Sequence, residues 1–223
     1  MNLALFDLDN TLLPIDSDYE WGQFLSKIGA VDAQAHAARN AAFFEQYQNG
    51  TLDPIEYLEF AFGTLARFPR SQLDTWHAQF MHEVIQPAIH PAALALVNKH
   101  KNNGDLVAII TATNRFVTGP IAEAFGVAHL IAAEPEISPS GEITGRLVGT
   151  PPFGAGKVAN TQLWLTSLGK QLQDFSHSFF YSDSQNDIPL LSVVSNPIAT
   201  NPNARLLAHA QEHGWPTLHL FND

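Results

Sequence analysis

Asp7 and Asp9 stand just past the apolar run Leu3-Ala4-Leu5-Phe6, and Asp183 just past Phe179-Phe180-Tyr181-Ser182. Runs this apolar are read as buried strands. An uncompensated buried carboxylate is costly, so acids in such a place call for a cation or a partner. In open α/β sheets, ligands bind at the carboxyl ends of the strands. Within Asp7-Leu8-Asp9-Asn10-Thr11, alternate side chains of extended backbone share a face, so the two carboxylates can converge. Such a pair resists ionising together without a cation, which suits a nucleophile beside a general acid/base. The alternative is a plain turn whose Asp side chains cap backbone amides.

Three further clusters could complete such a site. Ile109-Ile110-Thr111-Ala112-Thr113-Asn114 is an apolar strand ending in hydroxyls and an amide. A helix starting there would expose N–H groups to an anion, or Thr113 or Asn114 would simply cap it. Gly154-Ala155-Gly156-Lys157 leads into a helix over Val158 to Leu168. It is no nucleotide P-loop, because Pro151 and Val158 occupy the places of the required Gly and Ser/Thr. A lysine near a helix start is ordinarily solvated, although the glycine-rich approach sets this one apart. In Tyr181-Ser182-Asp183-Ser184-Gln185-Asn186-Asp187, two acids and an amide after a strand suit Mg²⁺, which takes hard oxygen ligands. Asp183 as an ordinary cap is the other reading.

The elements that must position these residues follow from periodicity. Strand-like runs occupy 3–8, 106–111, 128–133, 179–182 and, more weakly, 217–221, most of them separated by helical stretches, the pattern of a parallel α/β sheet. Ser17 with Glu20 fits a capping box, and Asp53-Pro54 with Glu56 fits another helix start. Helices are expected over 17–29, 32–48, 54–67, 71–86 and 91–102. A loop from about 15 to 85 is implausible inside a compact domain, so that stretch reads as a helical insert. Residues 136–148 read as a hairpin turning at Pro139 to Gly141.

Composition narrows the function. Twenty-two acidic residues against eleven basic ones give a formal charge of −11, which argues against nucleic acid and anionic membranes as partners. The chain has no cysteine, so thiolate chemistry and disulfides are excluded. No signal-like or spanning stretch opens or crosses it, pointing to a soluble cytoplasmic protein. His-Glu-x-x-His and Gly-x-Ser-x-Gly are both missing. His209 and His213 read as solvated, and Trp21, Phe24, Phe43 and Phe44 as core of the insert rather than a ligand stack.

Taken together, the four clusters resemble the haloacid dehalogenase superfamily. Asp7, Asp9 and Thr11 match its Asp-x-Asp-x-Thr motif, Thr111 its strand-end hydroxyl, Lys157 its lysine, and Asp183 with Asp187 its acidic pair. Order and spacing agree from residue 3 to about 190. The insert looks like the small cap of the phosphoserine-phosphatase-like subfamily. The resemblance implies a three-layer Rossmann-like core over 1–14 and 86–223 and a helical cap over 15–85. It implies that Asp7 attacks phosphorus, forming an aspartyl-phosphate, while Asp9 protonates the leaving oxygen and then activates water. Asp7, Asp183 and the Asp9 carbonyl would hold Mg²⁺, with Asp187 and Asn186 behind them. Thr111, Lys157 and backbone around Ala112 would hold the phosphate of a small metabolite. The dehalogenase branch lacks an acid at the second motif position, so Asp9 favours phosphate-ester chemistry. A catalytically inactive phosphate-binding relative and a phosphotransferase are the competing classes, and a monomer or homodimer is expected.

The substrate is read from departures. Phosphoserine phosphatases typically carry a Glu nine residues after the nucleophile, where this chain has Asp16. An ungapped alignment puts Glu59 where they carry an arginine for the substrate carboxylate, which would repel that group. Asp16, Asp18, Glu20, Trp21 and Glu59 then suit a cationic substrate without a carboxylate, such as histidinol phosphate, with phosphoserine and other small phosphomonoesters as the alternatives. Capping and dipole stabilisation by Asp16, Ser17, Asp18 and Glu20 is the plainer alternative.

Overall fold

In the computed structural model, which describes residues 1–221, Leu3–Phe6 forms a strand, β1, buried at every position. Its pleat explains why the run is apolar throughout. Ala4 and Phe6 enter one hydrophobic cluster, and Leu3 and Leu5 enter another on the opposite face. Helices α1 (Ser17–Lys27), α2 (Ala33–Asn49), α3 (Pro54–Leu65) and α4 (Arg70–Phe80) follow before any second strand. Asp32 and Asp53 cap α2 and α3 as N-caps should, and Gly50 ends α2 at φ 72°. The capping box expected at Ser17 and Glu20 does not form. Asp16 caps α1 instead, accepting from the amides of Asp18 and Tyr19, while the amide of Ser17 donates to Asp9. The helix expected over 71–86 changes type, passing from α4 through a π-helical turn at Met81–Ile85 into the short α5 (Gln86–Ala88).

The remaining elements alternate. They are α6 (Pro91–Asn102), β2 (Leu106–Asn114), α7 (Arg115–Ala124), β3 (His129–Ile137), β4 (Ile143–Val148), α8 (Ala155–Ser167), β5 (Ser178–Ser182), α9 (Ile188–Leu191), β6 (Asn196–Thr200), α10 (Ala204–His213) and β7 (Thr217–Leu218). Among the described residues seven strands form one sheet in the order β4-β3-β2-β1-β5-β6-β7, of which only β4 runs antiparallel. Apolar clusters cover both faces, so the fold is the expected three-layer, Rossmann-like α/β arrangement. The hairpin forms between β3 and β4, with Gly141 at φ 88° in its turn. Strand β6 has no counterpart among the expected strands, because Asn196-Pro197 reads as a turn. Strand β2 runs three residues past its expected end, with a register irregularity against β3 between Ile110 and Asn114. Among the described residues no helix is long and apolar enough to cross a membrane.

The apolar face of the insert merges with the sheet's own core. Leu58, Phe62, Leu65, Leu73 and Phe80 share a cluster with Phe6, Ile109, Phe116 and Val117. Trp21 and Phe24 lie in that cluster, as expected.

Candidate active site

Strand β1 sits between β2 and β5, with Phe6 level with Ile109 and Tyr181. The carboxyl ends of three neighbouring parallel strands therefore meet, and Asp7, Thr111 and Asp183 are all buried there. Lys157 reaches them from the first turn of α8. Far from being solvated, it is 3% exposed. Its Nζ donates to Asp7 Oδ1 at 2.9 Å and to Asp187 Oδ2 at 2.6 Å. Asp187 also accepts from Ser182 Oγ at 2.7 Å. Two glycines make this reach possible. Gly154 precedes the helix at φ 54°, and a Cβ on Gly156 would lie 2.1 Å from the Pro151 carbonyl oxygen.

Asp9 turns to the other side. Its Oδ1 accepts from the Ser17 amide at 2.7 Å, and its Oδ2 from Thr113 Oγ1 at 2.9 Å and Thr111 Oγ1 at 3.4 Å. The turn between Asp7 and α1 needs Asn10 at φ 58°, and Asn201 fastens it by donating to the carbonyls of Asn10 and Thr11. Burial pushes Asp9 up to about 6, with Asp16 adding to the effect. Burial likewise pushes Asp7 up to about 7 against the pull of Lys157, and raises Asp183 well above the carboxylate range, with Asp7 and Asp187 adding to the shift.

That charge imbalance is the test of a metal. Asp7, Asp183 and Asp187 face a single lysine, and the set is oxygen-rich, which fits a hard dication. The side chain of Asp9 is engaged elsewhere, so the carboxylates near the expected metal position are those of Asp7 and Asp183, whose charges act on one another, and the part expected of Asp9 is its main-chain carbonyl. Among the described residues no three His, Cys, Asp or Glu side chains group around one metal position. Mg²⁺ takes few carboxylates, completing its shell with water and substrate oxygens. Asn186 departs from its expected place behind the metal: its Nδ2 donates to the Tyr47 carbonyl at the end of α2. Gln185 and Arg205 donate to the next two carbonyls, of Gln48 and Asn49.

One cavity opens over these groups, between the sheet and the insert. Asp7, Asp9, Thr111, Ala112, Thr113, Lys157, Asn186 and Asp187 form its floor. Thr111 is not the strand's last residue, and the helix that follows is capped by Asn114, so the expected free N–H groups directly after Thr111 are displaced. The walls carry Asp16 and Asp18 together with Tyr19, Phe43, Phe44, Tyr47, Tyr57 and Phe153. Phe43 and Phe44 thus line the cavity instead of only filling the insert. Trp21 is buried in an aromatic cluster with Phe24, His77, Phe80 and Phe116, Glu20 lies off the cavity, and Glu59 is exposed on the outer face of α3. None of these three lines the site. His209 and His213 stack on each other on α10, far along the chain from the floor. Asn114 caps α7, one of the two readings its position offered, while the bonds it and Thr113 make to Asp18 and Asp9 were not foreseen. Tyr57 and Asn201 were missed, since a hydroxyl or amide without a motif spacing carries no signal.

The model of the haloacid dehalogenase-like hydrolases matches residues 4–192. The chain belongs to that family. It is 44% identical over 219 residues to a histidinol-phosphatase of Neisseria meningitidis serogroup C, covering 98% of this chain and 99% of that one. A crystal structure of a protein of unknown function from Bordetella pertussis Tohama I superposes with a TM-score of 0.94 at 48% identity, covering 99% of both chains. A phospho-aspartyl intermediate analogue of phosphoserine phosphatase superposes at 0.67 and 18% identity over 100% of this chain and 94% of that one, which speaks to the fold alone. The family member described here is an enzyme, a phosphatase.

Proposed function

We propose that this phosphatase hydrolyses a small cationic phosphomonoester, histidinol phosphate, through an aspartyl-phosphate on Asp7. The cavity carries this reading. Its floor pairs Asp7 and Asp9 with Lys157 and the Thr111 hydroxyl, which suits a phosphoryl group. Its walls hold Asp16 and Asp18, and no arginine lines it among the described residues, so a substrate carboxylate has no receptor there. The 44% identical relative is itself named a histidinol-phosphatase. Glu59 has no part in this reading.

In the first step an Asp7 carboxylate oxygen bonds to phosphorus as the ester P–O bond breaks, and Asp9 gives its proton to the departing alkoxide. In the second, Asp9 takes a proton from water, whose oxygen bonds to phosphorus and releases Asp7 and inorganic phosphate. Lys157 and Thr111 hold phosphate oxygens in line for both attacks. Mg²⁺, for which Asp7, Asp183 and the Asp9 carbonyl would be the ligands, would offset the repulsion between a carboxylate and a phosphate dianion. Residues 15–85 would act as the cap that closes over the substrate, with the last carbonyls of α2 held by Gln185, Asn186 and Arg205. The purified protein should release phosphate from p-nitrophenyl phosphate only with Mg²⁺ present, and Asp7→Asn should lose at least about 10³-fold in kcat. It should prefer histidinol phosphate to phosphoserine at equal concentration. Intact turnover by Asp7→Asn would remove the covalent route, and a preference for phosphoserine would remove the substrate.

A further inference from the structure

Asp16 and Asp18 both line the cavity but are held in different ways. Asp16 is committed to the backbone: its Oδ1 accepts the amides of Asp18 at 3.0 Å and Tyr19 at 2.9 Å and so caps α1. Asp18, two residues further on, is held by side chains of two other elements. Asn114 at the end of β2 donates Nδ2 to its Oδ1 at 3.2 Å, and Tyr57 of α3 donates its hydroxyl to Oδ2 at 2.5 Å. The Asn114 amide cannot turn away, because its Oδ1 accepts the Val117 amide as the cap of α7.

Both donors to Asp18 are neutral, and no ion pair among the described residues includes it. Asp9 and Asp16 nearby are acids as well. A carboxylate 93% shielded from water with no counter-charge is expensive to keep unless something supplies the cation. Half-buried rings of Tyr19, Phe44 and Tyr57 line the same space, and aromatic faces attract cations. Behind Asp18 a second, smaller recess shares Asp18, Asn40 and Tyr57 with the main cavity. Trp21 and His36 line it, and Trp21 Nε1 and His36 Nδ1 are buried without a hydrogen-bond partner. Unpaired polar atoms of this kind are uncommon inside proteins.

We infer that Asp18 is the specificity-determining residue of this enzyme: held by Tyr57 and Asn114, it receives the cationic group of the substrate, while Asp16 serves the fold. The inference rests on the reading of the cavity as one for a cationic phosphomonoester. It moves the receptor two residues from the position that alignment to phosphoserine phosphatases indicates. Tyr57 is then a positioning residue, acting through the carboxylate it holds.

The test compares wild type with Asp18→Asn, Asp16→Asn and Tyr57→Phe. Two quantities are read: the ratio of kcat/KM for histidinol phosphate to that for p-nitrophenyl phosphate, and calorimetric binding of histidinol, the phosphate-free cation, to metal-free protein. Asp18→Asn should lower the ratio roughly thirtyfold or more and weaken histidinol binding to match, the size expected when one partner of a buried charged contact is removed. Tyr57→Phe should move both quantities in the same direction by roughly three- to tenfold, acting on KM more than on kcat. An unchanged ratio in Asp18→Asn overturns the inference, as does a loss of selectivity that follows Asp16→Asn instead. Should wild type not turn over histidinol phosphate, the substrate reading fails separately. Asp18 is then judged by the ratio for phosphoethanolamine over glycerol phosphate, where loss of discrimination in Asp18→Asn supports the role and its persistence ends it.

Discussion

At the scale of single residues, the site is a problem of too many acids in too little water. Lys157 neutralises one of the floor acids, while Asp18 is left to its ligand. Burial, with Asp9 adding, pushes the Asp18 carboxyl up to about 7 against the hydrogen bond from Tyr57. Below that pH the group holds a proton and attracts no cation; above it the carboxylate is charged. The KM for a cationic substrate should therefore fall as pH rises through about 7. Groups facing Asp18 are Asp9, Asp16, Tyr57, Asn114 and, across the small recess, His36. Substrate phosphate and imidazole titrate nearby, so steady-state profiles of wild type must be set against Asp18→Asn, in which this inflection should vanish. Persistence of the same inflection in the variant would assign it to another group. Residues of the floor were legible in sequence because their chemistry contradicts their surroundings: acids at the ends of apolar strands stand out. Glu59 misled because spacing inside a helical insert is not fixed by strand register: an ungapped alignment gave it the arginine's position, whereas it sits on the exposed face of α3.

Elements explain how a lysine reaches a buried carboxylate from outside the sheet. The turn into α8 must bring its backbone against the Pro151 carbonyl, which only a residue without Cβ allows at position 156. Gly156→Ala should displace Lys157 from Asp7, lowering kcat by at least about tenfold and stability by about 1–3 kcal/mol, measurable by steady-state kinetics and urea unfolding. An alanine variant with wild-type kinetics would show that this approach can relax without moving the lysine. The spacing Gly154-Ala155-Gly156-Lys157 was visible beforehand, but the requirement was not, because it depends on a carbonyl five residues earlier. Helices α2 and α3 were legible to within a residue or two, α3 from its Asp53-Pro54 start. Strand β6 was not: Pro197 and only partial burial remove both the alternation and the apolar run on which strand recognition depends.

For the molecule as a whole, insert and sheet share one apolar cluster, and His77 of α4 spans the joint. Its Nε2 hydrogen-bonds the Val117 carbonyl on α7 at 2.9 Å amid the rings of Trp21, Phe80 and Phe116. Burial lowers the His77 pKa, so the folded state takes up its proton less readily than the unfolded chain, whose ordinary value is 6.5. The unfolded state then binds more protons at this site below that value, and the His77 contribution to stability falls as pH drops through about 6.5 toward the lower folded value. The raised carboxyls of Asp7, Asp9 and Asp18 push stability the other way over the same range. The His77 share is therefore read as the difference in thermal unfolding between wild type and His77→Gln from pH 8 to 5, which should shift against wild type as pH falls. A difference that stays constant with pH would place the acid sensitivity elsewhere.

The π-helical turn at Met81–Ile85, where the insert hands the chain back toward α6, has a practical consequence. Such a turn carries one residue more than the α-helical ladder around it. Transplants of the insert between relatives that spliced within these five positions would rotate everything downstream by roughly 100° about the helix axis. Junctions placed before Met81 or after Ile85 would keep Ala93 and Val97 facing inward.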